Sequence, residues 1–558
     1  MKKIAIVLVP VFLVTFISFN AKSQDKENSE PVWGSNENVT QTILQNTRSL
    51  REKLLDDPYR PAYHFCVPED NGTPGDPNGA FFKDGIYHLM YLYNRAGSGF
   101  SWGHISSKDL IHWRQHSDGI GVGPNDEGCF SGGGFVDDDG SVYLSYWMLW
   151  GGIGIGIAKS TDAINFKKYD INPIIKSTEW GITETTDKNG EKLIYGSADP
   201  SNIWKKDGKY YMLTGNLLAL RKYGSRGKGL PANRDEPELP KDSVKYQGDW
   251  LDLFVSADLK KWDYVHRFYE SKREWTKKTE DNMCPSFFPL PTNPEGGKIS
   301  DKHLLLFISH NKGCQYYIGD YKKDMFFPEI HGRMTWVDNS YFAPEALVDD
   351  KGRQIMWSWI FDDRPEEVKT ASGWSGTYGL PRSLWLRKDG TLGITPIKEI
   401  EQLRMHEKTK NNIRISAGKD VKMDEFSHEL MELEITFRPN NAERFGIKLC
   451  QSDNGQEETI IYYDNSDKKL KFDTQKSSLG YGKKVIEAAP LIVKSNESVV
   501  MRIFVDRSIV EVFANGRQAI ARSVYPTLGG TGISLFSEGG DVEIESFKTW
   551  EIFPSNPY

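Results

Sequence analysis

Apolar runs rich in aromatic residues recur along the first two-thirds of the chain, each just behind a glycine turn. Tyr87-His88-Leu89-Met90-Tyr91 follows Asp84-Gly85, and Val142-Tyr143-Leu144-Ser145-Tyr146 follows Asp139-Gly140. Tyr210-Tyr211-Met212-Leu213 follows Asp207-Gly208, and Gln354-Ile355-Met356-Trp357 follows Lys351-Gly352. Short apolar runs bounded by such turns predict strand, turn, strand. Eight residues ahead of the four turns stand Asp76, Ser131, Asp199 and, as a weaker echo, Ala343. A second element repeats independently: Ser107-Lys108-Asp109-Leu110-Ile111-His112-Trp113 is matched by Ser160 to Phe166 and by Ser256 to Trp262, each copy ending on an aromatic residue. Repetition at a period too long for a solenoid, in four-strand units, predicts a propeller. From Pro61 to about Arg404 there is room for roughly five blades. The alternative is a set of unrelated hairpins in a generic all-β domain.

The pattern changes after the short helical link Pro396 to Arg404. Alternating segments such as Met431 to Phe437, Ile460 to Tyr463 and Val499 to Val505, with a hairpin signal at Asn515-Gly516, predict a β-sandwich. The expected fold is therefore all-β, a five-bladed β-propeller over 56–404 followed by a C-terminal β-sandwich over 405–558. Met1-Lys2-Lys3, the apolar run Ile4 to Phe19 and Ala21-Lys22-Ser23 read as an export signal over 1–23. A polar leader over 24–55 follows. The expected location is secreted or periplasmic, with no stable membrane span once the signal is cleaved.

Composition narrows the partners. A net charge of −7 with 26% charged residues argues against nucleic acid, which wants a basic stripe. The aromatic content of 12% fits a β core and leaves rings over for stacking on sugars. Five widely spaced cysteines give no disulfide framework, and no metal-ligand spacing is present, so neither cofactor nor metal is expected. Asp137-Asp138-Asp139-Gly140 lacks the later bidentate Glu of a calcium loop and reads as a solvated hairpin tip.

Asp76 and Asp199 start equivalent strands. If those strands line a common axis, both carboxylates open into one funnel, the geometry that glycoside cleavage needs. The plainer readings are a turn-former for Asp76 and a strand cap for Asp199.

With this architecture in place, the chain resembles glycoside hydrolase family 32, the β-fructofuranosidases that include invertases, levanases and inulinases. The resemblance covers nearly the whole mature chain. It rests on Arg60 to Phe65, Asp76-Pro77-Asn78-Gly79, Trp102-Gly103-His104, Ser107 to Trp113, Cys129-Phe130-Ser131-Gly132, Gly373-Trp374-Ser375-Gly376, Leu380-Pro381-Arg382, Ile503 to Ser508 and Glu511-Val512-Phe513. It implies a retaining mechanism on β-fructofuranosides, with Asp76 as nucleophile and Asp199 as the carboxylate that holds sugar hydroxyls and stabilises the transition state. The implied partner is a carbohydrate: a fructan, a fructoside or another furanoside.

The chain departs from the family pattern where the acid should stand. Where the family has Glu-Cys-Pro, this sequence reads Met283-Cys284-Pro285, and Ala198, Gly75 and Leu92 replace three further polar residues. Two acids are candidates for the missing proton donor. Asp281 shares the face of Met283 by strand alternation, and Glu345 lies two residues after Ala343, taken as the repeat-equivalent of Asp76. The plainer readings are an exposed loop acid for Asp281 and an ion pair for Glu345. Trp102, Phe130 and Trp374 are the candidate apolar walls, with Ser131 and Asn78 as hydrogen-bonding groups. A catalytically silent, glycan-binding propeller is the alternative function.

Overall fold

The computed structural model describes residue 52 and residues 54–67, 73–95, 99–149, 153–218, 248–439, 441–494 and 496–556. The expected export signal and nearly all of the leader lie outside the described residues. Among those residues, no helix is long and apolar enough to cross a membrane.

The chain is nearly all β. Five antiparallel sheets of four or five strands follow one another, and each begins with a short strand that leads into a hairpin. Those first strands are Pro77–Lys83, Gly134–Val136, Ala198–Pro200, Met283–Pro291 and Tyr341–Val348. The sheets pack in cyclic order: the first strand of each contacts that of the next, except that Ala198–Pro200 packs on the strands Val142–Met148 and Gly154–Ser160 of the second sheet, and Tyr341–Val348 returns to Pro77–Lys83.

Hydrogen bonds run around the same circle. The Gly79 N–H donates to Gly132 O (3.1 Å), Ser145 Oγ to Ser201 O (2.9 Å), and Asn202 Nδ2 to Phe287 O (3.1 Å). Ser286 Oγ then donates to Glu345 Oε2 (3.0 Å), and the Ala80 N–H donates to Glu345 Oε1 (2.8 Å). Glu345 thus ties the fourth, fifth and first sheets together. The sheets approach so closely that Gly133 and Gly134 are required. A Cβ on Gly133 would sit 2.3 Å from Asn202 N, and one on Gly134 would sit 2.8 Å from Ala80 O.

The repeated Ser-x-Asp element is a turn. Asp109, Asp162 and Asp258 each accept two backbone N–H bonds from residues two and three positions on. The residue after each Asp is left-handed: Leu110 at φ 66°, Ala163 at 63° and Leu259 at 62°. An aspartate that caps such a turn explains why its spacing recurs.

Two six-stranded sheets form the C-terminal part. Leu433, Ile435, Ile503 and Val512 from one interleave with Ile447, Ile461, Leu470 and Leu535 from the other in one buried cluster, a β-sandwich core. The Ile503 to Phe513 motif docks this sandwich onto the N-terminal segment. Asp506 accepts the backbone N–H groups of Ala62 (2.6 Å), Tyr63 (2.9 Å) and His64 (2.8 Å), and also His64 Nδ1 (2.8 Å). Glu511 accepts His64 Nε2 (3.0 Å), the Leu380 N–H (2.6 Å) and Arg382 Nη2 (2.8 Å).

Burial works against a charge on His64, yet Asp506 and Glu511 outweigh it and push its pKa up to about 9. Its stabilising contribution is therefore whole below its unfolded value near 6.5 and is lost as pH rises through about 9. Asp506→Asn is expected to cost about 3 to 5 kcal/mol in urea unfolding, because it strips the countercharge from a buried imidazolium. The loss should be largest below pH 6 and should shrink toward pH 9.

Candidate active site

The openings of the inner strands are irregular in a shared way. The ladder slips between Asn78 and Phe81, between Met283 and Ser286 and between Phe342 and Glu345. At each slip one residue is left-handed: Gly79 at φ 52°, Cys284 at 51° and Ala343 at 50°. Such bulges bend a strand and re-aim the side chains around them.

At this end of the sheets, Asp76 and Asp199 come together. Cys284 Sγ lies 3.4 Å from Asp76 Oδ2 and 3.4 Å from Asp199 Oδ2, and the Cys284 N–H donates to Asp199 Oδ2 at 3.3 Å. Ser131 Oγ donates to Asp76 Oδ2 at 2.5 Å. Four sheets therefore converge here: the first and third bring the two carboxylates, the second brings Ser131 and the fourth brings Cys284. Burial raises the pKa of both. For Asp199 the charge of Asp76 adds to it, against the Cys284 donors, and the value reaches about 7. The thiol between them is driven well up by burial and by both acids, so it stays a thiol and a donor.

His310 completes the cluster, and the sequence reading missed it. It follows the strand Ile299–Ser309, whose Ile308 pairs with Met283, the residue before Cys284. Its Nδ1 lies 2.5 Å from Asp281 Oδ2, and its backbone N–H donates to Asp281 Oδ1 at 2.9 Å. Burial opposes its charge, but Asp281 first, then Asp199 and Asp76, raise its pKa. In return, its charge lowers the pKa of both site aspartates.

The other expected site residues lie elsewhere or serve the scaffold. Glu345 is not an inward acid. Its side chain is the clasp between sheets described above, 3% exposed, and burial pushes its pKa up to about 8. The misalignment has a simple cause. The hairpin after Asp76 turns through Asp84 and Gly85 alone, whereas Val348 pairs with Gln354 across five residues. Aligned on the bulges instead, Ser340 matches Asp76, and Glu345 matches Phe81. The same alignment puts Asp281 level with Asp76. Asp281 is fully buried, with both oxygens on His310, and is not an exposed loop acid.

Trp102 is not a loop residue facing sugar. It lies within the strand Gly99–Ser107, fully buried, and donates Nε1–H to Phe130 O at 3.1 Å. Trp374 is 3% exposed, stacks under the Arg364 guanidinium at 4.2 Å and donates its Nε1–H to Asp57. Asn78 spends its amide on Asp76 O (2.8 Å) and the Gly132 N–H (3.1 Å), bracing the bulge. Ser131 bonds Asp76, and Phe130 beside it is half-buried against Trp147 and Trp180 at 5.4 and 6.1 Å. A second group of rings, Phe342, Trp359 and Phe361, adjoins His310, with Phe342 5.8 Å from the imidazole.

The family model "Glycosyl hydrolases family 32 N-terminal domain" matches residues 64–224 and 243–396, and "Glycosyl hydrolases family 32 C terminal" matches residues 399–551. The chain is 28% identical to a sucrose-6-phosphate hydrolase of Zymomonas mobilis subsp. mobilis, over 90% of this chain and 94% of that protein. It is 27% identical to a levanase of Bacillus subtilis, over 92% of this chain and 74% of that protein. Among solved structures, fructan 1-exohydrolase IIa of Cichorium intybus superposes with a TM-score of 0.73 at 20% identity, covering 89% of this chain and 98% of that one. Exo-inulinase of Aspergillus awamori gives 0.70 at 20% identity, covering 90% and 99%.

The raised pKa of Asp199 carries a stability cost. The folded chain holds that proton up to about pH 7, whereas an unfolded Asp releases it near 4, so stability falls as pH rises across that window. Asp199→Asn should raise Tm at pH 8, by at most about 4 kcal/mol of stability, and change it little at pH 4. Paired thermal melts at the two pH values check this.

Proposed function

The chain belongs to glycosyl hydrolase family 32, and we propose that it is an exported retaining glycosidase acting on β-fructofuranosides: fructans, sucrose-like sugars or a related furanoside. The observation that carries the reading is the meeting of Asp76 and Asp199 at Cys284 Sγ, both at 3.4 Å, where four sheets converge. On this reading the five cyclically packed sheets are the five blades of one propeller over 56–404, and the sandwich spans 405–558. Residues 1–23 direct export to the periplasm or beyond.

Two buried carboxylates so close share their ionisation, and this divides the labour. Asp199 holds its proton to about pH 7, which leaves Asp76 as the carboxylate to ionise first, steadied by the Ser131 hydroxyl and the Cys284 thiol. Asp76 attacks the anomeric carbon and forms a fructosyl ester, which water later hydrolyses with net retention. Asp199 holds ring hydroxyls and stabilises the oxocarbenium-like transition state. The partly exposed rings of Phe130, next in the chain to Ser131, and of Trp359 and Phe361, packed on Phe342 beside His310, are the candidate walls for a five-membered ring.

A 4-nitrophenyl β-fructofuranoside tests the reading, because its leaving group needs little help from an acid. The wild type should turn it over. Asp76→Asn should reduce kcat/KM by more than about 10⁴-fold, and Asp199→Asn by about 10² to 10³-fold. If the wild type and Asp76→Asn are equally inert, yet both bind fructose, the protein is a glycan-binding propeller instead.

A further inference from the structure

Cleaving an unactivated glycoside requires a proton for the departing oxygen, from a group at the open side of the site where that oxygen lies. Met283, beside Cys284, has no proton to give. Both oxygens of Glu345 are spent between sheets, and both oxygens of Asp281 face His310. Asp199 is buried, accepting two bonds from Cys284.

His310 differs from all of these. Its side chain is 35% exposed, and Nδ1 is fixed on Asp281, while Nε2 has no hydrogen-bond partner among the described residues. The backbone on both sides of the Asp281–His310 pair is braced, and one ring packs on the imidazole. Ser309 Oγ donates to Asp281 O (2.7 Å), Asn339 Nδ2 donates to His310 O (2.8 Å), and Phe342 packs on the ring edge-on at 5.8 Å. The titratable groups that bear on it are Asp281, Asp199 and Asp76, all acidic. A buried carboxylate behind an imidazole fixes its tautomer and favours its charged form, leaving the far nitrogen to give up a proton.

We propose that His310 is the general acid and base of the reaction, with Asp281 as its positioning residue. The proposal rests on the fructosidase reading above. In the first step a carboxylate oxygen of Asp76 bonds to the anomeric carbon, the bond from that carbon to the leaving oxygen breaks, and the proton on His310 Nε2 passes to that oxygen. In the second step the neutral imidazole takes a proton from water, the hydroxide oxygen bonds to the anomeric carbon, and the Asp76 carboxylate departs. Enzyme and proton count are restored. The acids around His310 raise its pKa, which favours the donor form.

The test compares sucrose with the 4-nitrophenyl fructoside in the wild type, His310→Gln, Asp281→Asn and Asp76→Asn. His310→Gln should lose about 10² to 10⁴-fold in kcat/KM on sucrose and far less on the nitrophenyl substrate. Azide, a nucleophile needing no base, should accelerate its nitrophenyl turnover and yield a fructosyl azide. Asp281→Asn should move the alkaline limb of the sucrose profile to lower pH. Should His310→Gln fold poorly, the wild type alone decides, because an acid's alkaline limb belongs in the sucrose profile and not in the nitrophenyl one. Equal losses on both substrates, no azide effect or identical limbs would overturn the assignment while Asp76-dependent turnover stands. A wild type inert on both substrates would overturn it together with the fructosidase reading.

Discussion

Two aspartates with oxygens 3.4 Å from one sulfur atom, one buried and one partly exposed, set the terms for everything around them. Burial raises both pKa values, and for Asp199 the neighbouring charge raises it further. The arrangement survives because donors and a cation are supplied from separate sheets: Ser131 from the second, Cys284 and His310 from the fourth. None of these reaches the pair unless the sheets close on one another. Gly133 and Gly134, which permit close approach, and the Glu345 clasp that joins the last sheet to the first, are therefore part of the site's electrostatics as much as of the fold.

The sandwich contributes at a distance. Asp506 and Glu511 enclose His64 and fix the segment through Ala62 and Tyr63, while Glu511 also takes Arg382 from the fifth sheet. A buried ion network is expensive to form and costly to break. Here it joins the start of the ring of sheets to its end, which suits a structure whose first and last sheets must stay in contact.

The strands were legible because turn glycines and aromatic runs repeat, and the Ser-x-Asp element was legible because one capped turn recurs with the same left-handed residue. Asp76 and Asp199 were legible for the same reason, since each lies eight residues before a two-residue turn. The reading failed where that ruler changed length. The five-residue turn after Val348 displaced the alignment and made a structural clasp, Glu345, look like an acid. Trp102 and Trp374 show a different limit: a tryptophan between small residues has the same local sequence whether it faces solvent or core. His310 carried only a faint signal, the lone histidine in Ser309-His310-Asn311-Lys312-Gly313. Its partner Asp281 lies 29 residues away, and only the pairing of Met283 with Ile308 brings them level with the aspartates.

A crystal structure of the Asp76→Asn variant with sucrose bound is the decisive observation. The account requires the fructosyl ring between residues 76 and 199, its anomeric carbon facing residue 76 and the glycosidic oxygen within hydrogen-bond reach of His310 Nε2. Sucrose seated away from the Cys284 thiol, or placed there with its glycosidic oxygen turned from His310, would contradict it.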